Sequence, residues 1–577
     1  MSHAEAAAAG VSRSGWEQLT VVIVVTLVAA PLLGRYLAAL FGGDRAPGDR
    51  VFGPPERLLL RAGGIDPDKG QTWTGYARSL LAFGLVSTIA LFALLRLQGV
   101  LPGNPTHAPG MGPGLAFNTA VSFVTGTNWQ AYSGETQVSF LAQMAGLVVA
   151  QFTAAAVGVG VALAVVRGIA GTGRDVGNFW GDLVRAVVRL FLPLAAVATV
   201  VMVSQGAVQN LAGARTVTTV TGATQGIPGG PVASMEAIKL LGTNGGSAYG
   251  VGGAHPFENP NGFTNIFDLL LVIVLPVALV LMFGRLIGRP RQAYTILAVM
   301  EVLFLGHTLV AMQAEAHGSP APPAAVAHTV RVDGGGGNME GKEVRFGAEG
   351  SALLTAGTMG TTAGATDSSL DSYTAVGGGS ALAAILLGEV SPGGDGGGLY
   401  GMLMFVLLAV FLCGLMVGRT PEYLGKKVGV PQMKLVTLHV FAAPAVILVL
   451  SGVSLVYGSG TRSILNPGPH GLTEVTYSFA SAVQNNGSAF AGLSAATPWY
   501  DTSLGIAMLV GRFLPIILVL AVAGSLAGSR VHATTDATVS TSGPTFGGLL
   551  LGLVVIVGGL TFLPVLVLGP VAERLVG

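Results

Sequence analysis

Four short glycine-rich segments recur along the 577-residue chain, and their residue types could coordinate a monovalent cation. Glycine turns expose backbone carbonyls without side-chain obstruction, and Thr, Asn and Ser can brace them. The absence of carboxylates within the segments disfavours a tight divalent-metal site. We therefore interpret the segments as four parts of one potassium filter. They comprise Thr125, Gly126, Thr127 and Asn128; Thr243, Asn244, Gly245 and Gly246; Thr361, Thr362, Ala363 and Gly364; and Asn485, Asn486, Gly487 and Ser488.

The spacing of these segments indicates an internal repeat. If Gly126, Gly245, Gly364 and Gly487 are equivalent, the distances from 126 to 245, 245 to 364 and 364 to 487 are 119, 119 and 123 residues. A near-constant period over most of a chain is typical of a repeated structural unit. The pattern predicts four copies of one unit around a common centre.

Composition places the chain among polytopic membrane proteins. Hydrophobic residues make up 51% and charged residues 10% of the sequence, and the mean hydropathy is +0.67. A net charge of +1 indicates no nucleic-acid partner, and the single Cys413 excludes a disulfide framework or a thiolate metal site. Ten apolar runs are long enough to cross a bilayer. They are residues 19–40, 77–97, 138–166, 183–203, 266–283, 293–312, 399–417, 435–456, 504–527 and 546–568.

Shorter stretches precede the four glycine segments. Residues 115–124, 232–241, 351–356 and 473–483 are too brief to span, so we expect re-entrant half-helices whose carboxyl ends point at the membrane centre. Such an end carries partial negative charge and free carbonyls, which favours a cation. Basic residues concentrate in the alternate connections, which the positive-inside rule places in the cytoplasm, with the glycine segments entering from outside.

These patterns predict an all-α polytopic membrane protein with ten transmembrane helices and a fourfold internal repeat whose re-entrant loops meet at a central filter. The expected units follow the order of the spans. They are an N-terminal helix and cytoplasmic loop (1–74), repeat 1 (75–180), repeat 2 (181–292), repeat 3 with an extracellular insertion and a broken second helix (293–430), repeat 4 (431–540) and a C-terminal helix (541–577).

Longer strings around the segments resemble the potassium-channel-like A subunit of the Kdp potassium-transporting ATPase. The resemblance runs from the first helix to Glu573. Its most specific strings are Asn118-Thr-Ala-Val-Ser-Phe-Val-Thr-Gly-Thr-Asn-Trp-Gln130, Glu236-Ala-Ile-Lys-Leu-Leu-Gly-Thr-Asn-Gly-Gly246, Gly418-Arg-Thr-Pro-Glu-Tyr-Leu-Gly-Lys-Lys427, Leu465-Asn-Pro-Gly-Pro-His-Gly471 and Asn485-Asn-Gly-Ser-Ala-Phe-Ala-Gly492. Ala363 and Gly126 depart from the residues common in that family.

The resemblance implies four pseudo-symmetric helix–pore loop–helix repeats around the central filter, flanked by one extra helix at each end. It further implies selective binding of extracellular potassium and its transfer to a P-type ATPase partner for ATP-driven uptake across a bacterial cell membrane. It also implies an ATP-hydrolysing B subunit, a single-helix C subunit, a small F peptide and surrounding membrane lipid. This chain has no Asp-Lys-Thr-Gly-Thr phosphorylation motif and no P-loop, so we expect K⁺ as its ligand and no bound nucleotide. Two alternatives remain: an autonomous potassium channel or secondary transporter, and an assembly scaffold with a vestigial filter.

Three further residues are candidates for the ion path. The apolar run 381–418 would be ~57 Å long as one helix, and residues 391–398 interrupt it. We expect a loop below the filter there, with Glu389 as a path-lining group, or alternatively an ordinary surface loop. Arg512 is expected beneath the filter near Gln130, where its charge would hinder direct passage of potassium to the cytoplasm; a structural pair with a carboxylate is the alternative.

Overall fold

The computed structural model describes residues 10–43, 47–318, 338–388, 390–532 and 540–576. Within these ranges ten helices are long and apolar enough to cross a membrane, so the ten predicted spans are confirmed. They are α1 (Arg13–Gly42), α3 (Trp73–Leu97), α6 (Ala142–Ala170), α7 (Phe179–Ser204), α9 (Gly262–Leu286), α10 (Pro290–His317), α13 (Gly397–Val417), α14 (Val430–Val456), α17 (Pro498–Ala527) and α18 (Pro544–Val576).

Four shorter helices are the predicted half-helices, and we call them pore helices 1 to 4. They are α4 (Pro113–Val124), α8 (Val232–Leu241), α11 (Gly347–Gly360) and α16 (Pro469–Val483). The third is longer than the predicted 351–356, because the buried surroundings of residues 347–360 tolerate four helical glycines and need no amphipathic pattern. The remaining helices are α2 (Asp49–Ala62), α5 (Gly134–Gln137), α12 (Ala375–Leu386) and α15 (Gly458–Thr461), with a 3₁₀ turn at Leu370–Ser372.

In the described ranges the prediction of an all-α fold holds apart from two small antiparallel hairpins. Strands β1 (Arg215–Thr218) and β2 (Thr224–Ile227) pair with Arg215 opposite Ile227. Strands β3 (Glu422–Tyr423) and β4 (Lys426–Lys427) pair with Glu422 opposite Lys427. Both lie in connections between spans and leave the helical architecture unchanged.

Each repeat consists of a spanning helix, a pore helix, a filter segment and a second spanning helix. The pairs of spanning helices are α3 and α6, α7 and α9, α10 and α13, and α14 and α17. In repeat 3 the second helix is broken as predicted: α12 ends at Leu386 and α13 begins at Gly397. The insertion glycines 334–337 and Glu389 fall outside the described residues.

Small residues allow the helices around the centre to approach closely. A Cβ atom at Gly34 of α1 would lie 3.0 Å from the carbonyl oxygen of Ala278 on α9. At Gly168 of α6 it would lie 2.7 Å from the Cβ of Ala523 on α17. Such backbone approach is typical of helix packing in lipid, where apolar burial alone gives little driving force. Many large apolar side chains on α1, α3 and α18 are instead exposed, as expected for lipid-facing surfaces.

The connections separate into two faces. The basic face is the end formed by residues 63–72, 171–178 and 418–429, which contact one another through Asn178 Nδ2 to Asp66 O (3.1 Å) and Lys426 Nζ to Gly171 O (2.5 Å). The pore-loop face is the opposite end, formed by residues 129–141, 247–261, 365–374 and 489–497. There Thr366 N donates to Gly252 O at 3.1 Å, joining the loops of repeats 2 and 3.

Candidate ion-binding site

The carboxyl ends of the four pore helices share one hydrogen-bond pattern. The first residue beyond each helix donates its backbone N–H to the carbonyl four residues earlier, and the second donates to the carbonyl three residues earlier. The second residue has a positive φ in every repeat, between 43° and 82°. The first positions are Thr125, Gly242, Thr361 and Gln484; the second are Gly126, Thr243, Thr362 and Asn485.

This pattern corrects the register of the first filter segment. The fourth position is occupied by Asn128, Gly245, Gly364 and Gly487, so the equivalence of Gly126 with Gly245 is wrong by two residues. The spacing from 128 to 245 is 117 residues. Gly126 occupies the left-handed second position, where the other repeats have Thr or Asn. Aligning the segments by their glycines gives the wrong register in repeat 1, because its fourth position is Asn128. Asn also tolerates a positive φ, and Asn128 has a φ of 57°.

The fourth-position glycines lie against carbonyl oxygens of neighbouring repeats. A Cβ atom at Gly245 would be 2.6 Å from Asn486 O and 2.7 Å from Thr127 O. A Cβ atom at Gly364 would overlap Asn486 O, and one at Gly487 would overlap Thr127 O. The third-position carbonyls of repeats 1 and 4 therefore converge on the glycines of the neighbouring segments, which only glycine backbone allows at such short distances.

Neutral side chains join the filter segments of adjacent repeats. Asn485 Nδ2 donates to Thr127 Oγ1 at 2.9 Å, which links repeats 4 and 1, and Thr127 Oγ1 also lies 2.9 Å from Thr125 Oγ1. Asn128 Nδ2 donates to Asn244 Oδ1 at 3.1 Å, which links repeats 1 and 2. These side chains are almost completely buried. Hydrogen bonds in a site shielded from water hold the carbonyls in place more effectively than exposed ones.

The predicted residue Gln130 lies at the pore-loop face of the filter. Its Nε2 donates to Ser247 O at 3.0 Å and its Oε1 accepts from Ser247 N at 2.8 Å. Its Nε2 also lies 3.2 Å from the hydroxyl of Tyr132, whose pKa is raised by burial. Gln130 thus joins the loops of repeats 1 and 2 where the filter opens.

Ionisable groups are buried behind this opening in repeat 2. Lys239 Nζ pairs with Glu236 on pore helix 2 and donates to Gly252 O at 2.9 Å. Glu258, in the following loop, accepts from Tyr249 N at 3.1 Å. Burial, followed by repulsion from Glu236, raises the pKa of Glu258 to about 8. The charges lie beside the filter segment, and the segment itself contains neutral groups.

The loop that interrupts the second helix of repeat 3 lies directly against the opposite end of the filter. Asp395 N donates to Thr243 Oγ1 at 3.0 Å, and Gly393 N donates to Gly360 O at 3.0 Å. A Cβ atom at Gly394 would lie 3.1 Å from Thr361 O. The backbone of this loop therefore occupies the space immediately below the filter, and the surface-loop alternative is wrong.

Arg512 lies at the same end as this loop. Its Nη2 donates to Ala154 O at 2.8 Å. It lines a small space together with Gly126, Thr243, Thr362, Gly394 and Asp395. The expected proximity of Arg512 to Gln130 is wrong. Gln130 follows the filter on the pore-loop side, whereas Arg512 lies on the side where the pore helices end.

A cavity of about 100 Å³ extends sideways from this position. It is lined by parts of α12, α13, α14, α17 and α18, and its polar lining includes Gln484, Asn485, His439 and Arg512. It therefore lies beneath filter segment 4, among helices of repeats 3 and 4 and α18.

Comparison with known proteins agrees with this geometry. Residues 20–575 match the family model described as potassium-transporting ATPase A subunit. The chain belongs to the potassium-transporting ATPase A subunit family. Its relatives in this family include the potassium-transporting ATPase potassium-binding subunits of Mycobacterium tuberculosis (strain ATCC 25618 / H37Rv) and Mesorhizobium japonicum. The first is 50% identical over 98% of this chain and 99% of the relative, and the second is 48% identical over 97% and 98%.

A solved structure shares the fold. The crystal structure of the potassium transporter TrkH from Vibrio parahaemolyticus aligns with a TM-score of 0.51 and 16% identity, covering 88% of this chain and 98% of that chain. The fold of this A subunit family member is therefore one that a protein of low sequence identity also adopts.

Sequence reasoning missed several groups that brace the filter of this family member. Ser481 Oγ accepts from Gly487 N at 2.9 Å, and Ser122 Oγ donates to Trp129 O at 2.9 Å. Both serines lie three residues before the first filter position of their repeat. Tyr477 was also missed; its hydroxyl lies 2.7 Å from Ser488 Oγ. A polar residue at a constant distance before each segment was the signal that could have revealed the two serines.

Proposed function

We propose that this chain binds potassium selectively in its four-segment filter and transfers it to a P-type ATPase partner for ATP-driven, high-affinity uptake. The observation that carries this proposal is the convergence of the Thr127 and Asn486 carbonyls on Gly245, Gly364 and Gly487. Potassium has the ionic radius and weak hydration that suit neutral carbonyl oxygens. The carboxyl ends of four pore helices add partial negative charge without a carboxylate that would trap the ion.

The site residues of this proposal are those predicted from the sequence, in the corrected register. The third- and fourth-position carbonyls would contact the ion, while Asn128, Asn244, Asn485 and Thr127 would hold the segments together. Gln130 would shape the opening on the pore-loop side. Glu389 remains a proposed path-lining group, because it lies outside the described residues.

The underside of the filter supports a sideways transfer. The loop with Gly394 and Asp395 and the cation of Arg512 lie on the direct route toward the basic face. A potassium ion passing Arg512 would experience like-charge repulsion in a medium that screens poorly. The cavity between repeats 3 and 4 offers the alternative direction, toward a partner subunit at the side of the bundle.

The arrangement in the cell follows from the same proposal. The basic face would be cytoplasmic and the filter would open to the outside of a bacterial plasma membrane. The partners would be an ATP-hydrolysing B subunit, a single-helix C subunit and a small F peptide, with membrane lipid around the bundle. The units 1–74, 75–180, 181–292, 293–430, 431–540 and 541–577 remain our proposed division of the chain.

Gly245→Ala tests the proposal with a minimal change. Gly245 does not have a positive φ, so alanine is conformationally acceptable there, and its effect comes from the Cβ that would meet two filter carbonyls. We expect potassium-stimulated ATP hydrolysis by the purified complex to need at least about tenfold more potassium, equivalent to about 1.4 kcal/mol. Gly306→Ala, on the spanning helix α10 with no atom within 4 Å of the added Cβ, is the matched control.

The outcomes separate the alternatives. Equal potassium dependence of Gly245→Ala and wild type would place selectivity outside this filter, as a scaffold with a vestigial filter requires. Potassium flux through the purified chain in vesicles, without the ATPase partner, would instead favour an autonomous channel or secondary transporter.

A further inference from the structure

A cluster of ionisable side chains on the pore-loop face lies apart from the filter. It joins three elements: Asp371 in the 3₁₀ turn of repeat 3, His470 and Glu474 on pore helix 4, and Glu573 near the end of α18. One potential ligand atom each from Asp371, His470 and Glu474 lies within 4.8 Å of the others. The potassium path described above uses none of these residues.

His470 is held between two carboxylates. Its Nε2 lies 3.0 Å from Asp371 Oδ1 and its Nδ1 lies 2.9 Å from Glu573 Oε1. A metal-binding imidazole generally presents one nitrogen to the ion while a carboxylate holds the other and fixes the ring orientation. In this cluster Nε2 of His470 would face the ion, and Glu573 at Nδ1 would be the orienting carboxylate.

Glu474 supplies an independent indication that a ligand is needed. It is completely buried, and its Oε1 accepts from Asn466 Nδ2 at 2.6 Å, whereas its Oε2 has no hydrogen-bonded side chain among the described residues. His470 and Glu474 are four residues apart on one helix, so their side chains share a face. A buried carboxylate oxygen without a partner is costly, and a bound cation would relieve that cost.

The backbone leaves room for the carboxylates to face each other. A Cβ atom at Gly492 would overlap Glu474 Oε1 and would lie 2.7 Å from Asp371 Oδ1. The same Asn466 amide that contacts Glu474 donates to Asp371 Oδ2 at 3.2 Å. Three carboxylates thus surround a single imidazole, which leaves the cluster with excess negative charge when the imidazole is neutral.

We propose that Asp371, His470 and Glu474 form a divalent transition-metal site, with Zn²⁺ as the best-matched ion. One imidazole nitrogen and two carboxylate oxygens are a donor set that zinc accepts, and water could occupy a fourth position because Asp371 and His470 are 22% and 17% exposed. Zinc ligands at ~2.1 Å from the ion lie about 3.4 Å from one another. The 3.0 Å between His470 Nε2 and Asp371 Oδ1 would therefore lengthen slightly, and a pair separated by up to 4.8 Å would shorten by about 1.4 Å. The bound ion would fasten the loop after filter segment 3 to pore helix 4.

Calorimetric titration of the metal-depleted full chain with Zn²⁺ tests this site. We expect one ion per chain with a dissociation constant of about 10 μM or tighter. His470→Gln and Glu474→Gln should each weaken binding more than tenfold. His317→Gln, which changes an exposed histidine at the end of α10 on the same face, should bind as wild type does.

A further variant keeps the test decisive if the ligand variants fail to fold. Glu573→Gln keeps all three ligands and should weaken zinc binding by about 10-fold or more through loss of the orienting carboxylate. The visible absorption of Co²⁺ bound to wild type should decrease in parallel. Absence of saturable Zn²⁺ binding below about 1 mM, or equal binding by wild type and Glu573→Gln, would overturn the proposal and leave the cluster as an ion-paired contact.

Discussion

The Asn485 side-chain amide donates a 2.9 Å hydrogen bond to the Thr127 hydroxyl, across 358 residues of sequence. The bond joins filter segments of the first and last repeats, so the ring closes through side chains of opposite ends of the chain. Thr127 also contacts Thr125, and its own carbonyl approaches Gly245 and Gly487. One residue therefore couples the bracing of the filter to the oxygens that would contact the ion.

Thr127→Val should weaken potassium selectivity without unfolding the chain. Valine preserves the shape of threonine but removes the hydroxyl, leaving the Asn485 amide without its filter partner. Loss of one buried hydrogen bond costs about 1–3 kcal/mol, so we expect potassium to bind roughly 5- to 150-fold more weakly and rubidium to compete better. Potassium and rubidium dependence of ATP hydrolysis by the complex measures both effects. Thr153→Val is the control, because the Thr153 hydroxyl contacts only the backbone of its own helix in the described structure. It should leave the potassium and rubidium dependence unchanged.

Arg512→Gln should reduce coupling between ATP hydrolysis and potassium transport. The substitution removes the positive charge beneath the filter but retains a side-chain amide that can reach Ala154 O. We expect passive potassium leakage through the reconstituted complex in the absence of ATP, and less potassium transported per ATP hydrolysed. Arg512→Lys keeps the charge and should remain closer to wild type. Tight coupling in Arg512→Gln would show that the interrupting loop suffices to block the direct route.

Lys426→Met should destabilise the basic face, whereas Lys427→Met should not. Lys426 is completely buried, and its ammonium donates to Gly171 O and, at 3.0 Å, to Gly168 O at the end of α6. Burial lowers the pKa of Lys426, and the carbonyl bonds offset part of that desolvation. Removing the donor leaves helix-terminal carbonyls unpaired, at a cost of about 2–4 kcal/mol. Thermal unfolding of the purified chain compares the two neighbours; equal melting temperatures would contradict this role.

Glu258→Gln should change how stability depends on pH. Because the pKa of Glu258 is raised to about 8 in the folded chain, the folded state holds its proton more tightly than the unfolded state. Its contribution to stability is therefore greatest below about pH 4.3, the ordinary glutamate pKa, and is lost as pH rises toward 8.

Glutamine can keep the acceptor for Tyr249 N and cannot ionise. We expect Glu258→Gln to melt several degrees above wild type at pH 8.5 and to match it near pH 5. Melting temperatures of wild type and Glu258→Gln across this pH range test the expectation, with Glu343→Gln, at a largely exposed side chain, as the control. A constant offset at all pH values would indicate a packing effect.

The sequence by itself determined the class of protein, the ten spans, the four half-helices and the break near residues 391–398. These depend on local properties: an apolar run of about 20 residues must cross the bilayer, a shorter one cannot, and glycine clusters end helices. The residues of the four filter segments could be named for the same reason, since each segment directly follows its pore helix.

Only the tertiary structure decided what depends on contact between distant segments. The register of segment 1 required the hydrogen bonds of the pore-helix ends, because Asn and Gly can both occupy left-handed positions. The separation of Gln130 from Arg512 required the two ends of the filter to be placed in space. The cluster of Asp371, His470 and Glu474 likewise arises from the packing of repeat 3 against pore helix 4. No local pattern encodes it, because side chains nearly 100 residues apart meet only after the repeats close into a ring.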